Sequence, residues 1–229
     1  MTRDSGADED TVTVGVDEAG KGPVLGPMVA AAVRTVPDRL PEDVDDSKRV
    51  APARREELAA TFEADSEVSV GVGVVPVSRI DDPATDMNAL TVAAQAEAAA
   101  AVAEPGDRLV VDAGDVDADR FGRRVREAVA DAGTEVEVTA EHRADESYPV
   151  VSAASVVAKV ERDARVATLA EAYAEWGPVG SGYPSDPTTR AFLRRYVAET
   201  GGLPDCARRS WSTCDDLLAA AEQSSLAEF

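Results

Sequence analysis

Four acidic residues stand where predicted strands end: Asp17 and Glu18 after the first strand, Asp112 after the fourth, and Asp145 shortly after the fifth. Strand ends converge at one edge of a sheet, and several carboxylates gathered there repel one another unless a cation neutralises them. Mg²⁺ takes such oxygen ligands together with substrate phosphate. Two ions about 4 Å apart would stabilise both oxygens of an in-line phosphoryl displacement. The pattern therefore indicates metal-assisted phosphoryl chemistry.

The adjacent pair Asp17 and Glu18 sets a condition on this interpretation. Neighbouring residues of a regular strand face opposite sides of the sheet. We therefore expect the strand to break between them, and Gly20 and Gly22 make a local break possible. Taken singly, Asp17 or Asp112 in so acidic a chain is more simply explained as a solvated loop residue. The acids alone do not decide between these alternatives.

The elements that must position the acids alternate along the chain. Strand-like alternation or short apolar runs come first, and strands then alternate with helix-like segments, which predicts an α/β or α+β fold around one mixed sheet. Three further helical segments near the C-terminus predict a helical appendage. The predicted strands cover 11–16, 27–36, 67–77, 108–111 and 135–139, and the predicted helices cover 52–63, 88–104, 119–132, 150–173, 187–199 and 212–222.

We expect a flexible leader over 1–10, a catalytic domain over 11–165 that contains the strands and the four acids, and a C-terminal helical region over 166–229 that binds substrate. The 229 residues include 44% hydrophobic residues, enough for a sizeable core. The sequence has neither a long apolar run nor a secretory leader, so we expect a cytoplasmic protein with no membrane association. Two cysteines, Cys206 and Cys214, are too few for a disulfide framework or a zinc site.

The charge is strongly negative, with 44 acidic and 23 basic residues and a net charge of −21. One explanation is a functional acidic patch, such as a nucleic-acid mimic or a cation buffer. The other is a halophile-like surface, since salt at 1 M shortens the Debye length to about 3 Å. The acids are spread along the chain, and only three basic residues are lysine: Lys21, Lys48 and Lys159. Both observations favour the halophile-like surface.

Five ordered segments resemble those of the ribonuclease HII family. The segment VGVDEAGKGPVLGP at 14–27 resembles the family signature, and DSK at 46–48 and VDAGDV at 111–116 follow it. ADESYPVVSAASVVAKVERD at 144–163 resembles the most extended family block, and GSGYPSDP at 180–187 a loop with a stacking tyrosine. RRSW at 208–211 is similar to the archaeal branch. The matches extend from residue 12 to about 213.

The resemblance implies an RNase H-like fold: a mixed five-stranded sheet flanked by helices, with a C-terminal helical appendage. It implies Mg²⁺ or Mn²⁺ as cofactor, and endonucleolytic cleavage of the RNA strand of RNA–DNA hybrids. It also implies nicking on the 5′ side of ribonucleotides embedded in duplex DNA, leaving a 3′-hydroxyl. We expect a monomer, and a sliding clamp is a possible partner of the short apolar C-terminal segment 225–229.

By the same resemblance, Asp17, Glu18, Asp112 and Asp145 are the catalytic metal ligands. Gly20, Lys21 and Gly22 take the place of the family's Gly-Arg-Gly, which recognises the 2′-hydroxyl and the scissile phosphate. Lysine at 21 keeps a point charge but loses the bidentate geometry of arginine. Tyr183 would stack at the junction nucleotide. Further candidate substrate contacts are Lys48, Ser152, Lys159, Arg208 and Arg209.

Each further candidate has a structural alternative. Lys159 either contacts phosphate or pairs with a nearby acid, and Ser152 either binds phosphate, as Ser155 could, or packs tightly against the sheet. Arg208 and Arg209 either grip the DNA strand or cover a packed tryptophan. The only histidine, His142, is either structural or an aid to proton transfer near Asp145.

Three other functions compete with a ribonuclease HII. A DDE-type nuclease or a Holliday-junction resolvase would share the carboxylates but would not explain the glycine turn or the tyrosine loop. A ribonuclease HIII would need an N-terminal domain for which about ten residues leave no room. An acidic interaction protein would concentrate its acids on one face and would not need glycine at 20 and 22.

Overall fold

The computed structural model describes residues 11–41, 43–44 and 51–226, the last three of them by their backbone alone. One mixed sheet in the order β3-β2-β1-β4-β5 forms the centre of the fold. β1 pairs antiparallel with β2 and parallel with β4, and β4 pairs parallel with β5. The strands are β1 Thr13–Ala19, β2 Met28–Thr35, β3 Ser69–Val75, β4 Arg108–Asp112 and β5 Glu137–Glu141. The predicted mixed sheet and the antiparallel first pair are confirmed.

Seven α-helices occur in the described part of the chain, and six of them were predicted. Their bounds are α1 Pro52–Ala64, α2 Val77–Ile80, α3 Met87–Ala100, α4 Ala118–Asp131, α5 Pro149–Ala172, α6 Pro187–Thr200 and α7 Ser212–Leu226. The short helix α2 was not predicted. α3 ends at Ala100, four residues earlier than expected, and a turn leads from it to Pro105.

Helix α5 lies directly against the backbone of β1. A Cβ atom on Gly15 would come within 2.1 Å of the Val150 carbonyl carbon. Only a glycine allows this approach. α1 and α5 share a buried cluster with side chains of β2 and β4, including Phe62, Val33 and Val110. β3 approaches α3 as closely, because a Cβ atom on Gly73 would come within 2.3 Å of the Ala94 carbonyl oxygen.

The chain divides into two compact units. The first comprises Met1–Ala19, Val29–Val74 and Asn88–Glu161, and therefore contains the sheet. The second comprises Gly20–Met28, Val75–Met87 and Arg162–Phe229, so it adds two earlier segments to the C-terminal helices. Its core consists of Val24, Leu25 and apolar side chains from α5, α6, α7 and the loops between them. Among the described helices, none is both long and apolar enough to span a membrane.

Candidate active site

Asp17 and Glu18 are paired strand residues, opposite Ala31 and Ala30 of β2. β1 continues to Ala19, so the expected break between the two acids does not occur. Asp17 hydrogen-bonds to Ser155 of α5 on one face, and Glu18 contacts Gln95 of α3 on the other. The two carboxylates nevertheless interact, because the negative charge of Glu18 is one of the causes that raise the pKa of Asp17.

Gln95 links the two strands that supply the acids. Its Nε2 donates to Glu18 Oε2 at 2.6 Å and to the carbonyl oxygen of Asp112 at 3.0 Å. The side chain is fully buried, and its Oε1 has no hydrogen-bond partner within the described structure. Gln95 thereby orients the Glu18 carboxylate from the side of the sheet opposite Asp17. The sequence analysis missed it, although a glutamine in an alanine-rich helix is a polar signal.

Asp112 is the last residue of β4, and its Oδ1 accepts a hydrogen bond of 3.0 Å from the backbone N–H of Ala144. The chain turns toward it through Arg143, which has a left-handed backbone with φ 60°. Asp145 follows in a single 3₁₀ turn, Ala144–Glu146, and is buried. The hydrogen bond from Ala144 to Asp112 therefore places the start of this turn, one residue before Asp145, at the end of β4.

The folded protein disfavours the ionised form of the Asp17 carboxyl group. Burial raises the pKa of Asp17 well above its usual range, and the nearby negative charges of Glu18 and Asp112 raise it further. Ser155 partly offsets this by donating a hydrogen bond to the carboxylate, and Lys159 Nζ in turn donates to Ser155 Oγ at 2.8 Å. Lys159 is therefore linked to Asp17 through the hydroxyl group of Ser155, which lies one helical turn earlier in α5.

The donor set suits a hard divalent cation. Carboxylate oxygens are the preferred ligands of Mg²⁺ and Mn²⁺, and mutual repulsion among Asp17, Glu18 and Asp112 is what a bound cation would relieve. As the side chains stand, no group of three His, Cys, Asp or Glu residues in 11–41, 43–44 and 51–226 has a complete metal-site geometry.

The glycine turn, Gly20–Gly22, belongs to the second unit. Gly20 has φ +86°, and a Cβ atom there would stand 3.0 Å from the Pro27 carbonyl oxygen, so the turn requires glycine at this position. Gly22 is exposed with an ordinary φ, and a Cβ atom there would only touch Tyr183 Cε1 at 3.8 Å. Local structure therefore explains Gly20 but not Gly22.

The tyrosine loop, 180–187, is joined to the segment that follows the glycine turn. The backbone N–H groups of Val24 and Leu25 both donate to the carbonyl oxygen of Gly182. Tyr183 is 41% exposed, and the Arg162 guanidinium lies 5.4 Å from its ring centroid. Arg162, which the sequence analysis missed, also donates to the Ser181 carbonyl oxygen at 2.6 Å.

These features coincide with a known family. The family model of ribonuclease HII matches residues 14–214. A ribonuclease HII from Haloarcula marismortui is 61% identical over 215 residues, which cover 94% of this chain and 99% of the relative. This chain belongs to the ribonuclease HII family. The predicted resemblance is confirmed, and the activity is that of a type 2 ribonuclease H, an endonuclease and hydrolase.

Solved ribonuclease HII structures confirm the RNase H-like fold. The ribonuclease H2 of Pyrococcus horikoshii is 34% identical with a TM-score of 0.81, covering 93% of this chain and all of that one. The ribonuclease HII in a PCNA complex from Archaeoglobus fulgidus is 38% identical with a TM-score of 0.77, covering 90% and 96%. Haloarcula marismortui and Halobacterium salinarum relatives also fit the halophile-like composition.

Two predicted substrate contacts of this ribonuclease HII lie inside the protein. The Ser152 hydroxyl is fully buried and donates to the Val44 carbonyl oxygen, so it is not available to phosphate. Arg208 is also fully buried, with its guanidinium donating to backbone carbonyl groups. Arg208 therefore does not grip a DNA strand. It lies 4.9 Å from the Trp211 ring centroid, as the packing alternative expected, but inside the protein and not at its surface. Arg209, by contrast, is exposed.

The remaining candidate residues differ in how far they are buried. Lys48 lies outside the described residues, as does the whole DSK segment. Lys21 and Lys159 are half-buried, and His142 is exposed beyond β5. Cys206 and Cys214 are buried free thiols, and burial raises the pKa of Cys206 to about 12 and that of Cys214 to about 11. A packing role for both cysteines is consistent with these environments.

We expect Asp17→Asn to stabilise the metal-free enzyme. A raised carboxyl pKa means that the folded state disfavours the ionised form, so stability falls as pH rises from the usual aspartate range to the raised pKa. Removing the charge should raise Tm at neutral pH by about 2–4 °C, corresponding to roughly 1 kcal/mol. Thermal unfolding in a chelator checks this.

Repeating the unfolding experiment with Mn²⁺ tests whether the metal stabilises the protein through the Asp17 carboxylate or independently of it. Mn²⁺ at about 100 times its Kd should stabilise the wild type by about 2.7 kcal/mol and Asp17→Asn much less. Asp119→Asn makes an equal change of charge at an exposed position. It should leave the Tm in a chelator and the stabilisation by Mn²⁺ at their wild-type values. Equal Mn²⁺ shifts in the wild type and Asp17→Asn would exclude Asp17 as a ligand.

Proposed function

We propose that this enzyme cleaves the RNA strand of RNA–DNA hybrids and nicks duplex DNA on the 5′ side of an embedded ribonucleotide, leaving a 3′-hydroxyl. The observation that carries the proposal is the buried Asp17 beside Glu18 and Asp112, at the adjacent ends of β1 and β4. Such a set of acids suits metal-assisted phosphodiester hydrolysis better than binding alone. The acidic interaction protein is the weaker explanation, because it does not require a buried, mutually repelling cluster.

In this proposal Asp17, Glu18, Asp112 and Asp145 hold Mg²⁺ or Mn²⁺. The metal would lower the pKa of a bound water and stabilise charge on the phosphate oxygens. Gln95 keeps the Glu18 carboxylate in place, and the Ala144 N–H does the same for Asp112. Ser155 moderates the repulsion around Asp17 by donating a hydrogen bond to its carboxylate, and Lys159 donates to the Ser155 hydroxyl oxygen in turn.

Substrate recognition falls to the second unit in this proposal. The glycine turn begins two residues after Glu18 in the sequence. Gly20, Lys21 and Gly22 would recognise the 2′-hydroxyl and the scissile phosphate, and the 2′-hydroxyl is what distinguishes RNA from DNA at one nucleotide. Tyr183 would stack at the junction, and Arg209 presents an exposed cation for the backbone.

Three further proposals concern the partner, the oligomeric state and the place of action of this enzyme. The Archaeoglobus fulgidus complex with PCNA supports binding of a sliding clamp, for which segment 225–229 is our candidate contact. We infer that the enzyme acts as a monomer. We also infer that it works in the cytoplasm, in the removal of ribonucleotides from DNA during replication and repair.

Nicking of a duplex with one ribonucleotide tests the proposed function. The assay uses molar KCl with Mg²⁺ or Mn²⁺, because a protein of net charge −21 is expected to need screening to fold and to approach DNA. A single product ending in a 3′-hydroxyl immediately 5′ of the ribonucleotide supports the proposal. A folded enzyme that leaves the duplex intact at every salt and metal concentration would contradict it.

Tyr183→Ala should weaken this reaction through lost stacking. The ring is exposed and is placed by Arg162, and base–aromatic stacking contributes about 1–3 kcal/mol per base. We expect kcat/KM on the single-ribonucleotide duplex to fall roughly 10- to 100-fold, while Tyr183→Phe keeps most of it. Single-turnover rates at several substrate concentrations check the result. Equal losses in both variants would indicate that the hydroxyl, not the ring, matters.

A further inference from the structure

We propose that Arg208, assisted by Trp211, is the positioning residue of the glycine turn and thereby sets the preference for a ribonucleotide over a deoxyribonucleotide. This inference rests on the proposed function, since it assigns a role in substrate recognition. It concerns a side chain that touches no substrate. Arg208 acts instead through the backbone of residues 20–26.

The guanidinium of Arg208 binds three carbonyl oxygens of the turn and its continuation. Nη2 donates to Gly20 at 2.5 Å, Nη1 to Lys21 at 2.9 Å and Nε to Gly26 at 2.9 Å. The indole Nε1 of Trp211 donates to the Gly22 carbonyl oxygen at 3.2 Å. All three carbonyl groups of the glycine turn are therefore held by side chains of the RRSW segment.

Holding these carbonyl groups orients the amide groups as well. In a planar trans peptide the C=O and the following N–H point in opposite directions. The N–H groups of Lys21 and Gly22 therefore point away from the Arg208 guanidinium. Successive N–H groups on one side of a turn form a concavity suited to an anion or a hydroxyl oxygen. Gly20, with its left-handed φ, allows this arrangement.

Arg208 is buried, so its guanidinium interacts with the glycine turn and not with solvent. The side chain is fully buried, burial lowers its pKa to about 10, and no carboxylate in the described chain forms an ion pair with it. Its interactions are with backbone dipoles and with the Trp211 ring, whose centroid lies 4.9 Å away. A lysine would keep the charge but could not bind three divergent carbonyl groups.

The backbone around Arg208 is itself anchored. Its N–H donates to the Val24 carbonyl oxygen at 2.8 Å, and Leu25 forms a bridge with Ala207. Asp81 then accepts hydrogen bonds from the backbone N–H groups of Arg209 and Ser210. Three separate segments of the second unit therefore converge to place one guanidinium behind the glycine turn, while the next arginine faces outward.

The test compares Arg208→Lys and Trp211→Phe with the matched control Arg194→Lys, the same change at an exposed position of α6. Each enzyme is assayed for kcat and KM on the single-ribonucleotide duplex, with the identical all-DNA duplex as competitive inhibitor. The ratio of the DNA inhibition constant to KM measures ribonucleotide preference and does not depend on the fraction of folded enzyme. Thermal unfolding is recorded in parallel.

We expect the ratio to fall roughly tenfold in Arg208→Lys and about threefold in Trp211→Phe, with no change in Arg194→Lys. A lower Tm with an unchanged ratio would overturn the proposal, because Arg208 would then only stabilise the fold. If Arg208→Lys does not fold, an unchanged ratio in Trp211→Phe overturns the proposal and a lowered one supports it. Absence of nicking by the wild type would refute the proposed function instead.

Discussion

Asp112→Asn should lower nicking of the single-ribonucleotide duplex by about three orders of magnitude. The carboxylate stands at the end of β4, one of the acids whose charges raise the pKa of Asp17. Asparagine keeps the size of the side chain and an oxygen that can accept from the Ala144 N–H. It removes only the charge that a metal ligand must supply. A loss of about 4 kcal/mol in transition-state stabilisation gives roughly this factor.

The control for this variant is Asp119→Asn, which changes the net charge equally at an exposed position of α4. Single-turnover rates in molar KCl with Mn²⁺, together with circular dichroism of each protein, make the comparison. We expect the control to keep the wild-type rate. Cleavage that survives in a folded Asp112→Asn would leave the family assignment intact but would remove Asp112 from the proposed metal ligands.

Gly15→Ala should destabilise the enzyme more than any surface substitution. The added Cβ atom would stand 2.1 Å from the Val150 carbonyl carbon and 2.4 Å from the Val151 nitrogen, both backbone atoms of α5. Helix and strand would have to separate, and overpacking of a core typically costs about 1–3 kcal/mol, occasionally more. We expect about 3 kcal/mol, or a Tm roughly 6–12 °C lower.

Gly202→Ala is the matched control, because a Cβ atom there meets nothing within 4 Å and its φ is not in the left-handed region. Its Tm should change by less than about 2 °C. Activity offers a second measurement, since α5 carries Ser155 and Lys159 toward Asp17. A Gly15→Ala enzyme with wild-type Tm would contradict the close packing of β1 against α5.

The sequence by itself determined the secondary structure and the family. Alternation and apolar runs located the strands, and proline and amphipathic spacing located the longer helices, because these patterns depend on local geometry. The signature around Asp17 and the blocks that follow it identified a ribonuclease HII, since an extended ordered match does not arise by chance. The same blocks are the basis on which we propose the four acids as metal ligands.

Contacts between distant segments were decided only by the tertiary structure. Adjacent acids on opposite faces of β1 looked incompatible, yet the strand ends just beyond them, and its register with β2 and β4 brings their charges close. Gln95 became a partner of Glu18 because α3 lies over the sheet. Arg208 looked like a surface cation because arginine usually is one. Its burial depends on carbonyl groups of a turn 187 and 188 residues earlier in the chain, and no local pattern records that pairing.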